Sequence, residues 1–407
     1  MEKGNLSITS PKGFSAAYTA ANIKYKDRND VAMIYSKVPA SYAGVFTKNK
    51  VKAAPVEWDQ KVLKDNSKVS AVVINAGVAN AATGAEGFKD AEETADYTAK
   101  KLSVDKTNVL VASTGVIGMR LPLDKLKKGI DDMVNNLSSD LEVGHMASRA
   151  IMTTDTVEKE TSVTLEIGGK KVVIAGMCKG SGMIHPNMGT MLSFITTDVN
   201  ISEELLRKAL LESVDDTYNM ISVDGDTSTN DSCLVLANGL AENEKIVSED
   251  NNYNLFKEAL HEINSTLTKK IAMDGEGATM LMEVIVKNAK TKEDAKKAAK
   301  SVVTSNLTKC AIYGKDPNWG RIICALGYAD ADIEPYKVTI SFESEVGEIV
   351  VCKDGREVDF DEARAKEILT TKHITIVCDL GIGSFDAVAY GCDLTHKYVD
   401  INASYRS

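Results

Sequence analysis

Short apolar runs and amphipathic segments alternate along the chain, a pattern typical of proteins that mix strands with helices. Apolar runs predict strands at 31–35, 42–47, 69–75, 108–113, 191–197, 232–238, 279–287 and 374–379. Apolar residues at helical spacing predict helices at 87–102, 121–137, 141–150, 202–217, 253–269, 291–304 and 360–369. Paired apolar runs predict two hairpins, one over 162–176 that turns at Gly168-Gly169 and one over 336–352. These elements together predict an α/β fold.

The length of 407 residues is enough for two domains, although no repeat, low-complexity run or long linker separates them. Polar residues cluster at 240–250, and this segment is the one that most resembles a domain boundary. We predict a main α/β domain over 1–284 and a smaller α+β domain over 285–407.

Composition and charge exclude several classes of protein. A net charge of −10 argues against nucleic-acid binding, which requires a basic face. The seven cysteines include no CxxC pair and the five histidines no metal-spaced pair, so we expect reduced thiols, a cytoplasmic location and no metal site. No apolar signal region is visible at the N-terminus, and no run of about 18 apolar residues could span a membrane.

Residues 223–231 are dense in carboxylates and hydroxyls, groups that calcium prefers as ligands. Counted from Asp224, however, the twelfth position of an EF-hand loop is Val235 rather than Glu. We therefore interpret this segment as a hydrogen-bonded loop without a metal.

The most unusual stretch is 179–198, with the sequence KGSGMIHPNMGTMLSFITTD. It bends at His185-Pro186, where proline fixes its own φ and restricts the residue before it. The Gly189-Thr190 bond stands where this bent loop enters an apolar strand, a place where the following side chain could cut the backbone. An ordinary glycine-rich turn before a core strand fits the same residues.

The chemistry of such a cut is simple. Thr190 Oγ1 attacks the carbonyl of Gly189, the amide becomes an ester, and water hydrolyses the ester. Thr190 is then a new N-terminus whose amine, with a pKa near ~8, lies beside its own hydroxyl and can act as a base. Threonine with an N-terminal amine is an activated nucleophile. Gly189 has no side chain that could obstruct the attack.

A second candidate is Thr114-Gly115, which follows the predicted strand 108–113. A hydroxyl and a glycine N–H at the end of a strand can form an oxyanion hole. A simple turn fits the same pattern.

The stretch KGSGMIHPNMGTMLSFITTD closely resembles the cleavage and nucleophile segment of the glutamate N-acetyltransferases, also called ornithine acetyltransferases, of arginine biosynthesis. The resemblance covers essentially the whole chain through further motifs, which are IMTTDT (151–156), SVDGDTSTND (222–231), DGEGATM (274–280), DPNWGRI (316–322) and YGCDLTHKYVDINASYRS (390–407). Two positions depart from it: Gly189, where many members have Ala, and Ser407, where many members end in Thr.

The resemblance implies a layered αββα-type sandwich, with helices over two central sheets, that is shared with a group of self-cleaving aminopeptidases. It also implies cleavage between Gly189 and Thr190 into an alpha chain, 1–189, and a beta chain, 190–407. The two chains are expected to stay together as a heterotetramer of two alpha and two beta chains.

The resemblance assigns roles to individual side chains. Thr190 is the nucleophile, and Thr114 and Gly115 stabilise the oxyanion. The implied substrate-binding residues are Thr153, Lys179, Thr190, Glu276, Asn402 and Ser407. The ammonium of Lys179 could hold a substrate carboxylate, and the carboxylate of Glu276 suits a substrate amino group.

The implied reaction is a two-step acyl transfer that needs no cofactor. N2-acetylornithine acylates Thr190, ornithine leaves, and glutamate then takes the acetyl group in a ping-pong mechanism. Members that also start the pathway use acetyl-CoA as the donor, and the residues are compatible with either type.

Two other functions use the same residues differently. An aminopeptidase or amidase on the same fold would expose Ser as its new N-terminus, whereas this chain has Thr190. It would also leave Lys179, Glu276 and Asn402 without a clear task. A non-enzymatic ligand-binding protein would remain one intact polypeptide.

Overall fold

The computed structural model describes residues 1–65, 68–185 and 191–404. The strands, numbered in chain order, are β1 (Glu2–Gly4), β2 (Phe14–Thr19), β3 (Val31–Phe46), β4 (Lys68–Val78), β5 (Val109–Val116), β6 (Lys159–Ile167), β7 (Lys170–Lys179), β8 (Leu192–Thr197), β9 (Ile221–Ser222), β10 (Ser232–Ala237), β11 (Leu281–Ala289), β12 (Thr339–Ser344), β13 (Gly347–Lys353), β14 (Arg356–Glu357), β15 (His373–Asp379) and β16 (Phe385–Cys392). The helices are α1 (Ala54–Asp65), α2 (Gly84–Leu102), α3 (Leu123–Asn135), α4 (Leu141–Ala150), α5 (Glu203–Asp216), α6 (Asn251–Met273), α7 (Lys292–Thr304), α8 (Asn306–Tyr313), α9 (Trp319–Gly327), α10 (Glu362–Ile368) and α11 (His396–Asn402). The mixed α/β class is confirmed.

Most elements predicted from the apolar pattern are present, with ends that differ by a few residues. The hairpin of β6 and β7 turns at Gly168 and Gly169, which both have positive φ, as the sequence predicts. The predicted strands at 31–35 and 42–47 are in fact one strand, β3. Its pairing with β4 shifts register between Tyr35 and Ala40, because the segment containing Pro39 bulges without leaving the sheet.

The described residues divide into two compact units. The first is formed from the described parts of 1–180, 186–215 and 227–267. The second is formed from 181–185, 216–226 and the described residues from 268 onward. The smaller domain predicted over 285–407 falls within the second unit, and its boundary at 285 stays a prediction.

A mixed sheet of nine strands organises the first unit. Eight strands follow the order β1-β6-β7-β8-β10-β3-β4-β5, and β2 pairs with β3. The pairs β4–β5 and β8–β10 are parallel, whereas the others are antiparallel. Helices α1 and α2 lie against β5, and α3 and α4 lie against β2 and β3. An apolar core fills the space between these helices and the sheet.

The first sheet is strongly curled. Strands β7 and β5 are five places apart in the sheet order, which would separate them by about 24 Å in a flat sheet. Nevertheless, Lys179 at the end of β7 hydrogen-bonds Thr114 of β5 at 3.2 Å. The bulge in β3 and a register shift at Gly77 between β4 and β5 both increase local twist. The curl brings side chains from distant strands together.

The second unit has a sheet of seven strands in the order β14-β13-β12-β15-β11-β16-β9. Helix α7 covers β11 and β16, with α8 and α9 beside it, over an apolar core. After β16 the chain returns as α11. Asp393 accepts hydrogen bonds from the backbone N–H and the hydroxyl of Thr279, at 2.8 and 2.6 Å, and Thr395 Oγ1 donates to Gly277 O at 2.7 Å. These bonds attach the C-terminal segment beside the turn that follows α6.

No helix in the described ranges is long and apolar enough to cross a membrane. The seven cysteines are all free thiols, and five of them are buried.

Candidate active site

Three of the predicted site residues meet in the first unit, around Lys179. Its side chain is largely buried at the end of β7, and Nζ donates to Thr153 Oγ1 at 2.6 Å and to Thr114 Oγ1 at 3.2 Å. An ammonium group can only donate, so both hydroxyl oxygens act as acceptors in these bonds. Each hydroxyl therefore keeps its own hydrogen for another acceptor. Thr114 is in this way prepared to donate to an oxygen that gains negative charge.

Asp155 and Lys159 extend the cluster. Asp155 Oδ1 accepts from Lys159 Nζ and from the backbone N–H of Gly180, both at 2.7 Å. Its Oδ2 accepts from the backbone N–H of Thr153 at 3.0 Å and lies 3.8 Å from Lys179 Nζ. Burial alone would raise the pKa of Asp155, but the charges of Lys179 and Lys159 outweigh burial and hold that pKa well below its usual range. The carboxylate is therefore ionised at neutral pH.

Gly115 has a backbone that other residues rarely adopt, with φ at +133°. A Cβ atom at this position would lie 2.2 Å from the carbonyl carbon of Gly77, itself a glycine with φ at +105°. The pairing of β4 with β5 shifts register here, so the two glycines form a bulge. The strand predicted to end at 113 consequently continues to Val116, because β4 stays paired across the bulge.

In the second unit, Glu276 lies in the turn between α6 and β11 and is only 7% exposed. Its carboxylate accepts from Asn402 Nδ2 at 2.7 Å, which joins two predicted site residues. Within the described part of the chain, no cationic side chain forms an ion pair with Glu276. A buried carboxylate without a positive partner is costly, so this site suits a cationic group of a ligand.

Gly182 gives the Glu276 carboxylate the room that it occupies. A Cβ atom at Gly182 would lie 2.5 Å from Glu276 Oε1. The backbone N–H of Glu276 donates to Ser181 O at 2.8 Å, which fixes the two segments side by side. A side chain at the second glycine of the sequence KGSG would therefore collide with the Glu276 carboxylate.

Asp224 holds the segment that leads toward the predicted cleavage bond. Its Oδ1 accepts from the backbone N–H of Ile184 at 3.0 Å, and its Oδ2 accepts from Tyr398 Oη at 3.2 Å. The backbone N–H of Val223 also donates to Ile184 O at 2.6 Å. The acidic loop is therefore hydrogen-bonded, as interpreted from the sequence. The described residues contain no group of three or more His, Cys, Asp or Glu side chains that could hold a metal ion.

His185 follows in the same segment. Its Nδ1 lies 3.1 Å from Ser222 Oγ. Burial, with a smaller contribution from the charge of Lys300, lowers the pKa of His185 to about 4. The imidazole is therefore neutral at pH 7 and adds no charge to this segment.

The predicted site residues Gly189, Thr190 and Ser407 lie outside the described residues. Sequence reasoning did not single out Asp155, Lys159, Asp224 or Tyr398 as site residues. The Asp155–Lys159 spacing of four residues was the one available signal, and such pairs are usually exposed. Asp224 lies in a polar loop and Tyr398 in α11, and neither local sequence marks them as site residues.

Comparison with known proteins identifies the family. The sequence pattern of the ArgJ family matches residues 15–407. The arginine biosynthesis bifunctional protein ArgJ of Thermotoga neapolitana is 51% identical over 398 residues, which cover 98% of this chain and 99% of that protein. ArgJ 1 of Clostridium acetobutylicum is 52% identical over 404 residues, which cover 99% of this chain and 98% of that protein.

A solved structure gives the same result. The crystal structure of the arginine biosynthesis bifunctional protein ArgJ from Bacillus halodurans is 45% identical, with a TM-score of 0.51 over 53% of this chain and 100% of that chain. The fold and these relatives place the protein among the acyltransferases of arginine biosynthesis. The chain belongs to the ArgJ family. The resemblance predicted from the motifs is confirmed.

Proposed function

We propose that this protein transfers the acetyl group of N2-acetylornithine to glutamate through an acetyl-Thr190 intermediate, after cutting its own Gly189-Thr190 bond. Acetyl-CoA is proposed as a second acetyl donor, in keeping with the word bifunctional in the names of the relatives. No cofactor takes part in the exchange between ornithine and glutamate.

The observation that carries this proposal is the buried carboxylate of Glu276, which accepts a hydrogen bond from Asn402. Free ornithine and N2-acetylornithine both have an ammonium group on the side chain, and that group would supply a positive partner for the Glu276 carboxylate. Lys179 supplies the opposite charge for the carboxylate that N2-acetylornithine, ornithine and glutamate all have. Thr153 and Ser407 complete the proposed substrate contacts.

In the proposed mechanism, Thr190 Oγ1 attacks the acetyl carbonyl while the amine of Thr190 takes its proton. The carbonyl oxygen becomes an oxyanion, stabilised by the Thr114 hydroxyl and the Gly115 N–H. The Lys179 ammonium donates a hydrogen bond to the oxygen of Thr114, so the hydroxyl hydrogen of Thr114 can be donated to the oxyanion. Collapse of the intermediate breaks the carbon–nitrogen bond, and the protonated amine of Thr190 returns its proton to the departing nitrogen of ornithine. The amine of glutamate then attacks the acetyl ester, the ester bond to Thr190 Oγ1 breaks, and the proton of the attacking amine passes through the Thr190 amine to that oxygen. A pair of such donors lowers the barrier by about 3 kcal/mol for each donor.

Cleavage is supported by the length of the solved relative. That chain is covered completely by 53% of this protein, and residues 190–407 make up about the same share of the sequence. A relative cut at the corresponding bond would give a chain of this length. We propose that alpha and beta chains, 1–189 and 190–407, assemble as a cytoplasmic heterotetramer with two of each.

The test combines mass spectrometry of the purified protein with an exchange assay that uses labelled ornithine. Denaturing mass spectrometry should give two fragments, the second beginning at Thr190. Labelled ornithine should then be incorporated into N2-acetylornithine in the absence of glutamate, because a ping-pong enzyme runs its first half-reaction alone. A single intact chain, or exchange that requires glutamate, would contradict the proposal. Hydrolysis of peptide amides without any acetyl acceptor would favour an aminopeptidase or amidase.

Replacing Gly115 by alanine should lower kcat/KM for acetyl transfer by at least ~100-fold, about 2.7 kcal/mol, the usual effect of losing one oxyanion donor. The reason is the methyl group, which would collide with the backbone of Gly77 and displace the donating N–H. The matched control is Gly118→Ala, at a glycine with φ at +85° and no atom within 4 Å of the added Cβ. Steady-state kinetics should show a much smaller loss for the control, and equal losses would contradict the role of Gly115.

A further inference from the structure

A buried asparagine stands near the end of the motif at 222–231, and the proposed mechanism gives it no task. Asn230 lies just before β10 and is only 7% exposed. Its amide nitrogen donates to Ala79 O at 2.6 Å and to Ser113 O at 2.8 Å, and its amide oxygen accepts from Thr229 Oγ1 at 2.7 Å. Both amide hydrogens are therefore used on backbone carbonyl groups. A side chain that joins two backbone segments in this way fixes the distance between them.

The two carbonyl groups belong to the segments that form the glycine bulge. Ser113 is the residue before Thr114 in β5, and Ala79 directly follows the end of β4. Gly77 of β4 and Gly115 of β5 lie where the register of this pair shifts. The Asn230 amide thus spans the bulge that carries the proposed oxyanion donors, which are the Thr114 hydroxyl and the Gly115 N–H.

A second buried asparagine supports the bulge from within its own strands. Asn75 Nδ2 donates to Val78 O at 2.9 Å, and Asn75 Oδ1 accepts from Ser113 Oγ at 2.7 Å. These bonds join β4 to β5 and maintain the local shape of the bulge. Asn230, in contrast, reaches the bulge from the segment before β10, which is more than a hundred residues later in the chain. Asn230 therefore fixes where the bulge lies relative to another part of the sheet.

The segment that carries Asn230 is also bonded to the start of β8. The backbone N–H of Ser232 donates to Met191 O at 3.0 Å, and the parallel pairing of β10 with β8 begins with Ser232 and Leu192. Met191 directly follows the proposed nucleophile, Thr190. The bulge and the residue after the nucleophile are thus attached to one short segment. Nucleophile and oxyanion donors must meet at one carbon atom, and a misplacement of about 1 Å can lower a rate ~100-fold.

We propose that Asn230 is a positioning residue for acetyl transfer, which holds the oxyanion donors at the correct distance from the start of β8. This inference rests on the proposed function, in which Thr190 is the nucleophile and Thr114 and Gly115 stabilise the oxyanion. In this role Asn230 acts through the backbone of the bulge and not by contact with the acetyl group. Since Asn230 follows the proposed cut and the bulge precedes it, the amide would join the two polypeptides that the cut produces.

The matched control for Asn230 is Asn243, a buried asparagine of the same unit. Its amide nitrogen donates to Asn200 O at 3.0 Å and to Glu244 O at 2.7 Å, and its amide oxygen accepts from the backbone N–H of Asn200 at 2.8 Å. Asn243 thus makes the same kinds of bonds as Asn230. However, its partner Asn200 follows the end of β8, whereas Asn230 lies beside the start of that strand.

The test measures kcat and kcat/KM for N2-acetylornithine in Asn230→Ala and Asn243→Ala, per mole of cut chain as determined by denaturing mass spectrometry. In Asn230→Ala both constants should fall by the same factor, on the order of 100-fold, the pattern of an interaction that acts only in the transition state. Asn243→Ala should unfold at a similarly reduced temperature and keep its kcat. Equal losses of kcat in the two variants, or a kcat of Asn230→Ala within about three-fold of the wild type, would overturn the proposal.

The decisive variant is the double substitution Asn230→Ala with Gly115→Ala. If Asn230 acts through the bulge, the oxyanion donor is already displaced in Gly115→Ala. The added Asn230→Ala should then lower kcat by no more than about three-fold further. If the two losses multiply in full, Asn230 acts elsewhere and the proposal is wrong.

Two further comparisons keep the outcome clear. Thr229→Val removes the hydroxyl that donates to the Asn230 amide, and it should lower kcat about five-fold, the change that corresponds to one neutral hydrogen bond. If Asn230→Ala does not fold, an unchanged kcat in Thr229→Val overturns the proposal by itself. If Gly115→Ala alone leaves kcat unchanged, the proposed oxyanion hole is wrong and the proposed function must be revised. If Gly115→Ala lowers kcat while Asn230→Ala does not, only the role of Asn230 is wrong.

Discussion

Replacing Thr190 by alanine is expected to leave one intact chain of 407 residues and to abolish acetyl transfer. The substitution removes the hydroxyl that would cut the Gly189-Thr190 bond and would later hold the acetyl group. Without the cut there is also no free amine to act as the base. Loss of a covalent nucleophile lowers kcat by ~10⁴-fold or more in enzymes of this kind. Denaturing mass spectrometry detects the uncut chain, and an assay of N2-acetylglutamate formation measures the loss of acetyl transfer.

Two variants control this experiment. Thr190→Ser keeps a hydroxyl and should still be cleaved and active. Thr196→Ala removes a buried hydroxyl of β8 that donates to Ile8 O at 2.7 Å, which should cost about 1 kcal/mol of stability without preventing cleavage. Two fragments from the alanine variant of Thr190, with the second still beginning at residue 190, would rule out Thr190 as the cleaving nucleophile.

Replacing Glu276 by glutamine is expected to lower kcat/KM for N2-acetylornithine by about 10- to 100-fold. Glutamine has nearly the same shape, and its amide oxygen can still accept from Asn402, so the loss is that of a charged hydrogen bond, about 1.5–3 kcal/mol. The effect should disappear with N2-acetylnorvaline, an analogue that lacks the side-chain amine. Comparing kcat/KM for the two substrates in both proteins isolates the charge interaction.

The matched control is Glu283→Gln, at another largely buried carboxylate of the second unit. Glu283 pairs with His373 at 2.9 Å and with Lys269 at 3.3 Å, so its negative charge is already compensated within the protein. This variant should lose some stability and keep its kcat/KM. If Glu276→Gln weakens both substrates equally, Glu276 has a structural role and does not recognise the amine.

Local patterns predicted the elements well, because each depends on neighbouring residues. The hairpin at Gly168-Gly169 requires two residues with positive φ, and glycine supplies both. The sequence predicts two strands where β3 is one strand with a bulge, since a proline-containing segment can either leave a sheet or bulge within it. Only the pairing with β4 distinguishes the two cases.

The candidate site was predictable only where a motif marked it. Lys179 stands at the start of a distinctive stretch, and the resemblance of that stretch to a known family implies a role for it. Lys159 stands in an unremarkable run, and nothing near it in sequence requires burial. Its burial comes from tertiary packing at the start of β6, where Lys159 pairs with Cys178 of β7 and bonds Asp155. Such long-range geometry leaves no local signal.

The order of strands in the first sheet affects the stability and the refolding of the protein after the proposed cut. Strands β8 and β10 lie between β7 and β3. After a break before residue 190, one hydrogen-bonded sheet would therefore contain strands from two polypeptides. The broken covalent link would then be unnecessary for holding the native state together. Recovery from complete denaturation, in contrast, would become an encounter between two separate molecules, with a yield that increases with protein concentration. The protein would thus fold as a single chain before the cut, and the cut protein would then retain the structure formed in that step.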